Sequence, residues 1–375
     1  MRSIEKIKVL ENIPVLLRAA LNAEVENGTV TNDFRLRAAL QTITYLQKRH
    51  ARVILASHIS GTGTETLRPM FEAMQKWIPN LSFSPVPTGP GVRAAARNLE
   101  PGHVLMLENL RRNKGEEQND PAFAEELADL ADIFVQDSFD VCHRSHASVV
   151  GVPTLLPSYA GFLVEKEVQE LSKALSPKRP SLAIIGGAKF STKQPVLKRL
   201  LKTYDKVFVG GALANDFMKA RGNPVGTSLV SGADASELGA VMKSKRLLLP
   251  VDYVVAKAGT RQGRVAEVKD VREDEAILDN GPRTIQMLAL HATRSKTVLW
   301  NGPLGNYENG FSQGTEALAK VIAGTKTHSI VGGGDTVAAI EDLNLGDQFT
   351  FISTGGGAML DFLAKGTLPG LDALR

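Results

Sequence analysis

Apolar runs alternate with amphipathic stretches along the first half of the chain, and this alternation predicts its secondary structure. Buried β-strands are predicted over the apolar runs at 14–18, 52–58, 81–86, 104–108 and 133–139. The stretch 33–50 places Leu36 and Ile43 on one face of a helix, with Asp33 as its N-cap or first-turn acid. Further helices are predicted over 64–77 and 121–131.

The second half repeats this rhythm. Strands are predicted at 181–187, 206–211, 247–256, 297–300, 327–331 and 349–353. Between the halves, 162–174 reads as one amphipathic helix, and Pro177 and Pro180 then interrupt it. We therefore expect an N-terminal domain at 1–160, a linker helix at 161–178 and a C-terminal domain at 179–362.

The alternation of strands and helices favours parallel strand pairing, because a parallel crossover usually contains a helix. The predicted fold class is α/β, with two domains that each hold a parallel sheet between helices on both faces. A chain of 375 residues is too long for one typical core and suits two such domains.

The composition is that of an ordinary globular protein, with 43% hydrophobic and 22% charged residues. Cys142 is the only cysteine, so no internal disulfide forms and a reducing cytosol fits. The first residues start no apolar signal segment, and no apolar stretch is long enough to span a bilayer. We therefore expect a cytoplasmic protein without a membrane partner.

The net charge of +4 raises the question of nucleic-acid binding. A modest surplus spread over the surface, with a few arginines that bind a small anion, explains this charge better, because no basic run carries interleaved aromatic residues. We expect no nucleic-acid partner. The sequence gives no sign of a particular oligomeric state, and a monomer is the expectation.

Three glycine-rich clusters near the C-terminus each follow a short apolar run, at 300–303, 332–336 and 354–358. A buried strand that ends in glycines and opens a helix leaves backbone N–H groups directed at one spot, which suits phosphate. Side by side on a parallel sheet, three such ends would form a nucleotide site at the carboxyl edge. Each cluster alone is also compatible with ordinary turn chemistry.

A fourth glycine segment, at 186–189, follows an apolar strand and ends in Lys189, with Lys193 one helical turn further on. A lysine at such a strand exit can neutralise a transferring phosphoryl group. The segment is not a Walker A loop, because the Gly-Lys-Ser/Thr sequence at the required spacing is absent. Asp335 follows three glycines and is a natural Mg²⁺ ligand, a helix N-cap with Thr336 at the first helical position, or both.

The N-terminal half carries basic residues where its predicted strands end. In a parallel sheet these ends share one edge, so the side chains are expected to converge on an anion, which the forked guanidinium suits well. Singly, each residue reads better as a solvated surface charge, whereas together they favour an anion pocket. The residues are Arg18, His58, Arg111, Arg112, His143, Arg144 and His146, with Arg35 at the start of the first helix.

Ordered motifs along nearly the whole chain match one known family. The N-terminal motifs are 15–18 with Asn22, 57–58, 107–111 and 143–148. The C-terminal motifs are 186–189, 249–252, 300–305, 332–336 and 353–357. By these motifs the chain resembles the phosphoglycerate kinases, and so many ordered matches are far more specific than any lone glycine motif.

The resemblance implies two Rossmann-like domains joined by a hinge, with the last segment, 363–375, returning to the N-terminal domain. It implies reversible phosphoryl transfer between MgATP and 3-phosphoglycerate that gives 1,3-bisphosphoglycerate, a step of glycolysis and gluconeogenesis. The partners would be a small acid on the N-terminal domain and ATP or ADP on the C-terminal domain, with Mg²⁺ as cofactor. Two half-sites on separate domains would have to close to exclude water.

The resemblance also implies roles for individual residues by motif position. The acid-side ligands are Asn22, Arg35, His58, Arg111 and Arg144. The nucleotide-side residues are Gly187, Lys189, Lys193, Asn301, Glu308, Gly333, Gly334, Asp335 and Thr336, with Asp335 as the metal ligand. The residues implied in catalysis are Arg35, Lys189, Gly355 and Gly356, the last two at a helix start that faces the transferred phosphoryl group.

Three departures from the family pattern fall on the acid side. Ala20 stands where the family has an aspartate that contacts the substrate hydroxyl, and Gly61 where it has a phosphate-binding arginine. Asp140 stands where glycine is usual, and a carboxylate that faces the pocket repels an anion. Losing one charge-assisted hydrogen bond of about 1.5–3 kcal/mol weakens binding roughly ten- to a hundredfold. Arg112 and Lys114 are the candidates to compensate.

Three functions stay open at this point. The first is a working phosphoglycerate kinase with a weakened or rearranged acid site. The second is a related enzyme that phosphorylates a different small carboxylate, and the third is a catalytically idle nucleotide-binding protein. The presence of Lys189, Lys193 and Asp335 argues against the third. A dinucleotide dehydrogenase is disfavoured, because no G-x-G-x-x-G with a downstream ribose-binding acid occurs.

Overall fold

The chain divides into two compact units in a computed structural model, which describes residues 1–260 and 262–375. Unit 1 comprises Met1–Gln169 with Thr367–Arg375, and unit 2 comprises Glu170–Gly366. The division falls inside one helix, Phe162–Leu175. Every helix among the described residues is too short or too polar to serve as a membrane span.

The strands of unit 1 are β1 (Pro14–Ala19), β2 (Val25–Glu26), β3 (Thr29–Val30), β4 (Arg52–Ala56), β5 (Leu81–Phe83), β6 (Val104–Met106), β7 (Ile133–Asp137) and β8 (Ser158–Ala160). Six of them form a parallel sheet in the order β5-β6-β4-β1-β7-β8. β2 and β3 form a separate antiparallel hairpin. Because β1 lies inside the sheet, its residues after Pro14 are all buried.

The helices of unit 1 cover this sheet with apolar faces. They are α1 (Phe34–Lys48), α2 (Arg68–Met74), α3 (Pro90–Arg97), α4 (Gly115–Gln118), α5 (Pro121–Ala128) and α6 (Phe162–Leu175). Leu36 and Ile43 of α1 are fully buried and pack in one hydrophobic cluster with Val15 and Leu17 of β1, as the helical spacing predicts.

The start of α1 differs from the expected cap in one detail. Asp33 is the N-cap residue, but its side chain makes no capping hydrogen bond. Its carboxylate lies 2.8 Å from Nη1 of Arg37 and 3.6 Å from Nζ of Lys76 instead. Asn32 accepts the hydrogen bond from the N–H of Phe34 at 3.0 Å. Two nearby cations thus draw the carboxylate away from the helix start.

The strands of unit 2 are β9 (Ser181–Ile185), β10 (Lys206–Val209), β11 (Leu247–Leu248), β12 (Asp252–Lys257), β13 (Arg264–Glu267), β14 (Glu275–Asn280), β15 (Thr297–Asn301), β16 (His328–Gly332) and β17 (Phe351–Ile352). Six of them form a second parallel sheet, in the order β11-β10-β9-β15-β16-β17. The helices are α7 (Phe190–Thr203), α8 (Ala212–Ala220), α9 (Ala235–Met242), α10 (Pro282–Arg294), α11 (Gln313–Ala323), α12 (Gly334–Asp342), α13 (Gly357–Lys365) and, in the C-terminal part of unit 1, α14 (Pro369–Asp372).

Both main sheets are parallel and carry helices, which confirms the predicted α/β fold class. The predicted strand at 247–256 is wrong, because the chain forms two strands there. β11 belongs to the parallel sheet, whereas β12 is the centre of a three-stranded antiparallel sheet in the order β13-β12-β14. Pro250 lies between the two strands and lacks the N–H that a continuous ladder needs.

Candidate active site

Arg18 and His58 form the centre of a buried polar cluster in unit 1. Arg18 lies near the end of β1, and His58 follows the neighbouring strand β4. Their exposed fractions are only 1% and 2%. Nη2 of Arg18 donates to Nδ1 of His58 at 2.9 Å, and Nη1 donates to the carbonyl of Ala19 at 3.0 Å. The parallel sheet therefore brings these two predicted strand-end residues into direct contact.

His58 is neutral in this cluster, although its sequence position suggested a further positive charge. Burial is the largest cause that lowers the pKa of His58 well below its ordinary value, and the charges of Arg18 and Arg111 act in the same direction. Because Nδ1 accepts a hydrogen bond from a guanidinium, the ring proton sits on Nε2. His58 can therefore offer an N–H donor to an anion without adding charge.

A buried carboxylate balances the charge of Arg18 through one hydroxyl group. Nε of Arg18 donates to Oγ of Ser148 at 2.9 Å, and this hydroxyl donates to Oε1 of Glu116 at 2.5 Å. The backbone N–H of Ser148 donates to Oε2 of Glu116 at 3.0 Å. Nδ1 of His146 lies 3.9 Å from the same carboxylate. The pKa of His146 is lowered to about 4, first by burial and then by Arg111.

Arg35, the predicted catalytic arginine of this unit, already faces a carboxylate. Its Nη1 donates to the carbonyl of Asn22 at 2.9 Å and lies 3.6 Å from Oδ2 of Asp140. Asp140 is 9% exposed and accepts a hydrogen bond from Oγ of Ser138 at 2.6 Å. The unusual acid at this position therefore faces the cluster. The Asn22 side chain exchanges two hydrogen bonds with Ser60, both 3.0 Å long.

Arg111 and Arg144 lie at the edge of the cluster. Nε of Arg111 lies 3.2 Å from Oε1 of Glu117, an ion pair without the alignment of a hydrogen bond. Arg144 is exposed on the turn after β7. The charges of both arginines lower the pKa of His146, so both lie within electrostatic reach of it. The structure thus gathers all the predicted acid-side ligands around one end of the sheet.

The other two departures from the family pattern have different surroundings. Ala20 is fully buried, so a methyl group takes the place of the family's carboxylate inside the core. Gly61 is exposed and has a φ of +147°, in a region that favours glycine. A Cβ atom at Gly61 would lie 2.1 Å from Oε1 of Glu65, so a side chain at 61 is incompatible with the observed position of Glu65.

The structure does not place Arg112 where it could replace an arginine at 61. Nη2 of Arg112 donates to the carbonyl of Thr64 at 2.9 Å, and Nε donates to the carbonyl of Glu65 at 3.2 Å. Nη1 lies 3.3 Å from Oε2 of Glu108. Arg112 therefore holds the loop from the side through its carbonyl groups. Lys114 is exposed at the N-cap position of α4.

In unit 2, a glycine with positive φ lies between a strand of the parallel sheet and the next helix at four places, and at three of them this glycine is the N-cap of the helix. α7 follows β9 with Gly187 at φ +96°, α8 follows β10 with Gly211 at φ +62°, α12 follows β16 with Gly333 at φ +103°, and α13 follows β17 with Gly356 at φ +51°. Glycine adopts positive φ angles more readily than residues with a side chain. The first N–H groups of these helices lack partners in the helix and lie along one sheet edge, which suits phosphate.

Two expectations about these glycine segments are wrong. The segment 300–303 opens no α-helix, since the chain continues through a 3₁₀ helix at Tyr307–Asn309 before α11 begins. Asp335 is not an N-cap, because Gly333 holds that position and Asp335 lies inside the first turn of α12. The helix start at Gly211 was missed, although two glycines after an apolar strand give the same signal as those at 186–187.

A cavity of about 370 Å³ lies beside these helix starts. Three of the predicted nucleotide residues, Gly187, Glu308 and Asp335, line it. Its remaining walls come mainly from the end of β14 and the loop after β15, including Leu278 and Pro303. The wall is partly apolar and partly polar, as expected for a site that takes a planar base and a charged tail.

Lys193 and Asn301 form the polar centre next to the glycine segments. Nζ of Lys193 donates to Oδ1 of Asn301 at 2.8 Å, and Asn301 is 1% exposed. Burial lowers the pKa of Lys193 to about 8, while the charge of Asp335 opposes this shift. Lys189, in contrast, is exposed at the N-cap position of α7. The poorly solvated ammonium group of Lys193 is suited to a phosphate ligand.

The helix starts at α12 and α13 provide further donors. Gly334 is the first residue of α12, and the buried Oγ1 of Thr336 has no hydrogen-bond partner within residues 1–260 and 262–375. At α13, the N–H of Gly355 donates to Oγ of Ser353 at 3.0 Å, and Gly356 is the N-cap residue. An unpaired buried hydroxyl at a helix start is costly unless a ligand pairs with it.

The residues present fit a magnesium ion bound together with a nucleotide. Asp335 is exposed and lines the cavity in the first turn of α12. Among the described residues, no group of three His, Cys, Asp or Glu side chains could hold a metal by itself. Mg²⁺ commonly uses one or two carboxylates plus substrate phosphates and water, so a single carboxylate at this place is adequate.

Comparison with known proteins gives one family. The family model of phosphoglycerate kinase matches residues 4–366. Over 97% of both chains, the sequence is 45% identical to a protein of Moorella thermoacetica named phosphoglycerate kinase. It is 43% identical to a protein of the same name from Rubrobacter xylanophilus, over 100% of this chain and 98% of the relative.

Solved structures give the same result. The fold is similar to phosphoglycerate kinase from Coxiella burnetii, with a TM-score of 0.83 and 37% identity over 99% of this chain and 98% of the other. It is also similar to phosphoglycerate kinase from Pyrococcus horikoshii, with a TM-score of 0.90 and 28% identity over 100% of this chain and 98% of the other.

Proposed function

The chain belongs to the phosphoglycerate kinase family, and from this premise we propose that it transfers a phosphoryl group reversibly between MgATP and 3-phosphoglycerate. It is an enzyme, a phosphotransferase with a carboxyl group as acceptor. The products of the forward direction are 1,3-bisphosphoglycerate and ADP, which places the reaction in glycolysis and gluconeogenesis.

The observation that carries this proposal is the pairing of two kinds of anion site in one chain. Unit 1 gathers basic residues around Arg18 and His58, where a small acid fits. Unit 2 gathers glycine-opened helix starts around Lys193 and a cavity of about 370 Å³, where a nucleotide fits. A kinase that acts on a small acid needs both kinds of site, whereas a nucleotide-binding protein without an acceptor needs only the second.

On the nucleotide side, the supports are the contacts around the glycine segments. The N–H groups near Gly187, Gly333 and Gly334 bind phosphate oxygens, as does the ammonium of Lys193, which Asn301 holds in place. The buried hydroxyl of Thr336 pairs with the phosphate chain, and Glu308 in the cavity wall accepts from the ribose hydroxyls. Asp335 would hold Mg²⁺, which neutralises charge on the phosphate oxygens when it is bound.

On the acid side, Arg35 binds the carboxylate that attacks, and the groups around Arg18 bind the other end of the acid. His58 donates through Nε2, while Arg111 and Arg144 add charge from the edge of the cluster. Asn22 positions Arg35 through its carbonyl group. Arg18 itself is anchored by Ser148 and His58, so its fork is fixed before any ligand binds.

The chemistry matches this inventory. A carboxylate is ionised near neutral pH, so the acceptor needs no general base. Its oxygen attacks the γ-phosphorus of ATP, the bond to the bridging oxygen breaks, and ADP leaves. Positive charge has to be supplied to the moving phosphoryl group, and Arg35, Lys189 and the N–H groups at Gly355 and Gly356 are the groups proposed to supply it.

The finer statements about partners and place are also proposals. We propose that the enzyme is a monomer, because a single chain carries both kinds of site, and that it is cytoplasmic and has no nucleic-acid or membrane partner. The mass of the purified protein in solution, measured by light scattering during gel filtration, tests the first part. A mass of about 40.3 kDa is expected, the mass of one chain.

The decisive assay measures ATP turnover and calorimetric binding with 3-phosphoglycerate and then with a panel of small carboxylates. Turnover with 3-phosphoglycerate that the D335N variant loses is expected, and this loss excludes a contaminating kinase. Turnover only with another acid would replace 3-phosphoglycerate as the substrate, an outcome that Ala20 and Asp140 in this acid site make worth testing. ATP binding without any acceptor would contradict the proposed function.

A further inference from the structure

A short loop after β4 folds around its own carboxylate. Oε1 of Glu65 accepts from the N–H of Thr62 at 2.7 Å and from its hydroxyl at 3.0 Å, and Oε2 accepts from the N–H of Gly63 at 2.8 Å. The pKa of Glu65 is lowered to about 2, most strongly by the backbone N–H of Thr62. Gly61 and Gly63 both have positive φ values, +147° and +89°. Successive N–H groups in such a turn form a concave site for an anion.

This loop borders the acid site on two sides. It begins just after His58 and Ser60, and Ser60 exchanges two hydrogen bonds with Asn22. On the other side, a Cβ atom at Gly63 would lie 3.0 Å from the carbonyl of Arg111. The anion held by the loop is therefore a neighbour of residues proposed to bind the acid.

The loop is also fixed from outside, so the carboxylate is not a loosely attached surface group. The carbonyl of Glu65 accepts from Nδ2 of Asn109 at 3.0 Å and from Nε of Arg112 at 3.2 Å. Arg112 also donates to the carbonyl of Thr64 at 2.9 Å. These contacts hold the backbone at residues 64 and 65, directly after the two N–H groups that Glu65 pairs with.

The carboxylate of Glu65 occupies the space into which a side chain at position 61 would project. A Cβ atom at Gly61 would lie 2.1 Å from the carboxylate oxygen of Glu65, so a side chain at 61 would require this carboxylate to move. The loop thus carries its own carboxylate in the space beside Gly61. An incoming ligand meets N–H groups that are already paired.

We propose that Glu65 is a specificity-determining residue of the acid site, an internal anion that occupies the backbone N–H groups of Thr62 and Gly63 and so weakens binding of acids that carry a second anionic group. This inference rests on the proposed function for its site, and it deepens that function by naming the acid feature that the site disfavours. Removing the carboxylate should open an anion site beside Asn22 and Arg111. The gain should be larger for a phosphorylated acid than for the same acid without phosphate.

The test compares three variants with the unchanged enzyme. E65A removes the internal anion and exposes both N–H groups, whereas E65Q keeps the shape and one acceptor oxygen but removes the charge. E72Q removes one carboxylate that forms an exposed pair with Arg68 at 3.1 Å in the same unit, and controls for net charge. Binding of inorganic phosphate is measured by calorimetry, together with KM for 3-phosphoglycerate and for ATP.

We expect KM for 3-phosphoglycerate and the dissociation constant of phosphate to fall about tenfold in E65A, because one charged acceptor has been removed from two donors. A smaller fall is expected in E65Q and none in E72Q, while KM for ATP stays constant in all three. The affinity of each acid is also measured by its competition with inorganic phosphate. E65A should increase the affinity for glycerate, which lacks the phosphate group, less than the affinity for 3-phosphoglycerate.

An unchanged or weaker affinity for phosphate in both E65A and E65Q overturns the proposal, and so does an equal gain in E72Q. E65Q preserves the size of the side chain, so it decides the matter if E65A fails to fold. The phosphate titration needs no turnover. If the unchanged enzyme does not use 3-phosphoglycerate, the proposed function fails, whereas the phosphate titration still decides the role of Glu65.

Discussion

The basic residues of the two units have different partners. In unit 1, Arg35 lies 3.6 Å from Asp140 and Arg111 lies 3.2 Å from Glu117, so the chain's own carboxylates partly neutralise the arginines. In unit 2, Nζ of Lys193 donates to the neutral Oδ1 of Asn301 at 2.8 Å, and Asp335 is the carboxylate whose charge acts on it. An acid therefore has to compete with carboxylates that pair with the arginines, whereas a nucleotide meets a lysine whose hydrogen bond goes to a neutral oxygen and whose nearby carboxylate, Asp335, is the proposed Mg²⁺ ligand.

This difference coincides with the half of the molecule that departs from the family pattern. The glycine segments and the lysine of unit 2 agree with the family pattern, and the structure assembles them at one sheet edge. In unit 1 the three unusual residues lie at or near the basic cluster: Ala20 is buried, Gly61 adjoins the Glu65 carboxylate, and Asp140 lies 3.6 Å from Arg35. The acid half is thus where substitutions should change substrate affinity most.

The largest effect is expected for Arg35→Ala. If Arg35 supplies charge to the attacking carboxylate and the moving phosphoryl group, kcat/KM for the acid falls about 10²–10³-fold while KM for ATP stays constant. Arg37→Ala is the matched control, because Arg37 lies on the same helix, pairs with Asp33 and has a half-exposed side chain. Steady-state kinetics with each substrate varied in turn measure the effect. A loss below tenfold, or an equal rise in KM for ATP, would remove Arg35 from the catalytic role.

The next effect concerns pH on the nucleotide side. The pKa of Lys193 is lowered to about 8, so the ammonium loses its proton as the pH rises through 8 and then binds phosphate less well. KM for ATP should rise by up to about tenfold per pH unit above pH 8, because one group titrates. Lys193→Arg keeps its charge and should show a flat profile. The same rise in the arginine variant would place the titrating group elsewhere.

A smaller change is expected for Asp140→Asn. Removing the carboxylate beside Arg35 makes this arginine more available to an anion, so KM for the acid should fall about two- to fivefold, the size of a partly exposed ion pair. Asp129→Asn serves as the control, since Asp129 forms a 3.8 Å pair with Arg93 in the same unit. A higher KM for the acid in Asp140→Asn would mean that this carboxylate contributes to acid binding.

The smallest effect concerns the pH dependence of stability in unit 1. The folded protein lowers the pKa of His146 to about 4 from an ordinary value of 6.5, so the unfolded chain binds the extra proton first. The contribution of His146 is therefore complete above pH 6.5 and is lost as the pH falls towards 4. His146→Gln should weaken this dependence, as measured by urea midpoints at pH 7 and 5. If the urea midpoints at pH 7 and pH 5 differ as much in His146→Gln as in the unchanged protein, His146 is not the group that causes this pH dependence.

Much of the fold was predictable, because buried parallel strands leave continuous apolar runs in the sequence. β1, β7 and β9 begin where the runs begin. β12 overlaps the predicted run at 247–256, but its antiparallel pairing was missed, as were its partners β13 and β14. β13 has exposed residues at alternate positions, and the apolar run of β14 is only three residues long, so neither gives the signal of a buried parallel strand. The family and its reaction class were predicted from ordered motifs and are confirmed.

The partners of the site residues could not be predicted in the same way. Arg18 and Ser148 are 130 positions apart, and Ser148 links Arg18 to Glu116 by hydrogen bonds. A carboxylate such as Glu116 resembles a solvated surface charge in the sequence, and only tertiary packing buries it. Glu65 gave no signal either, because its partners are backbone N–H groups whose positions depend on the turn.

The most direct test is calorimetric titration of the double variant D140N/E65Q and of the unchanged enzyme, with 3-phosphoglycerate and with MgATP separately. If internal carboxylates weaken the acid half alone, the dissociation constant for the acid should fall by about tenfold or more, while that for MgATP should not change. An acid affinity that is unchanged or lower, or an equal gain for both ligands, would contradict this account.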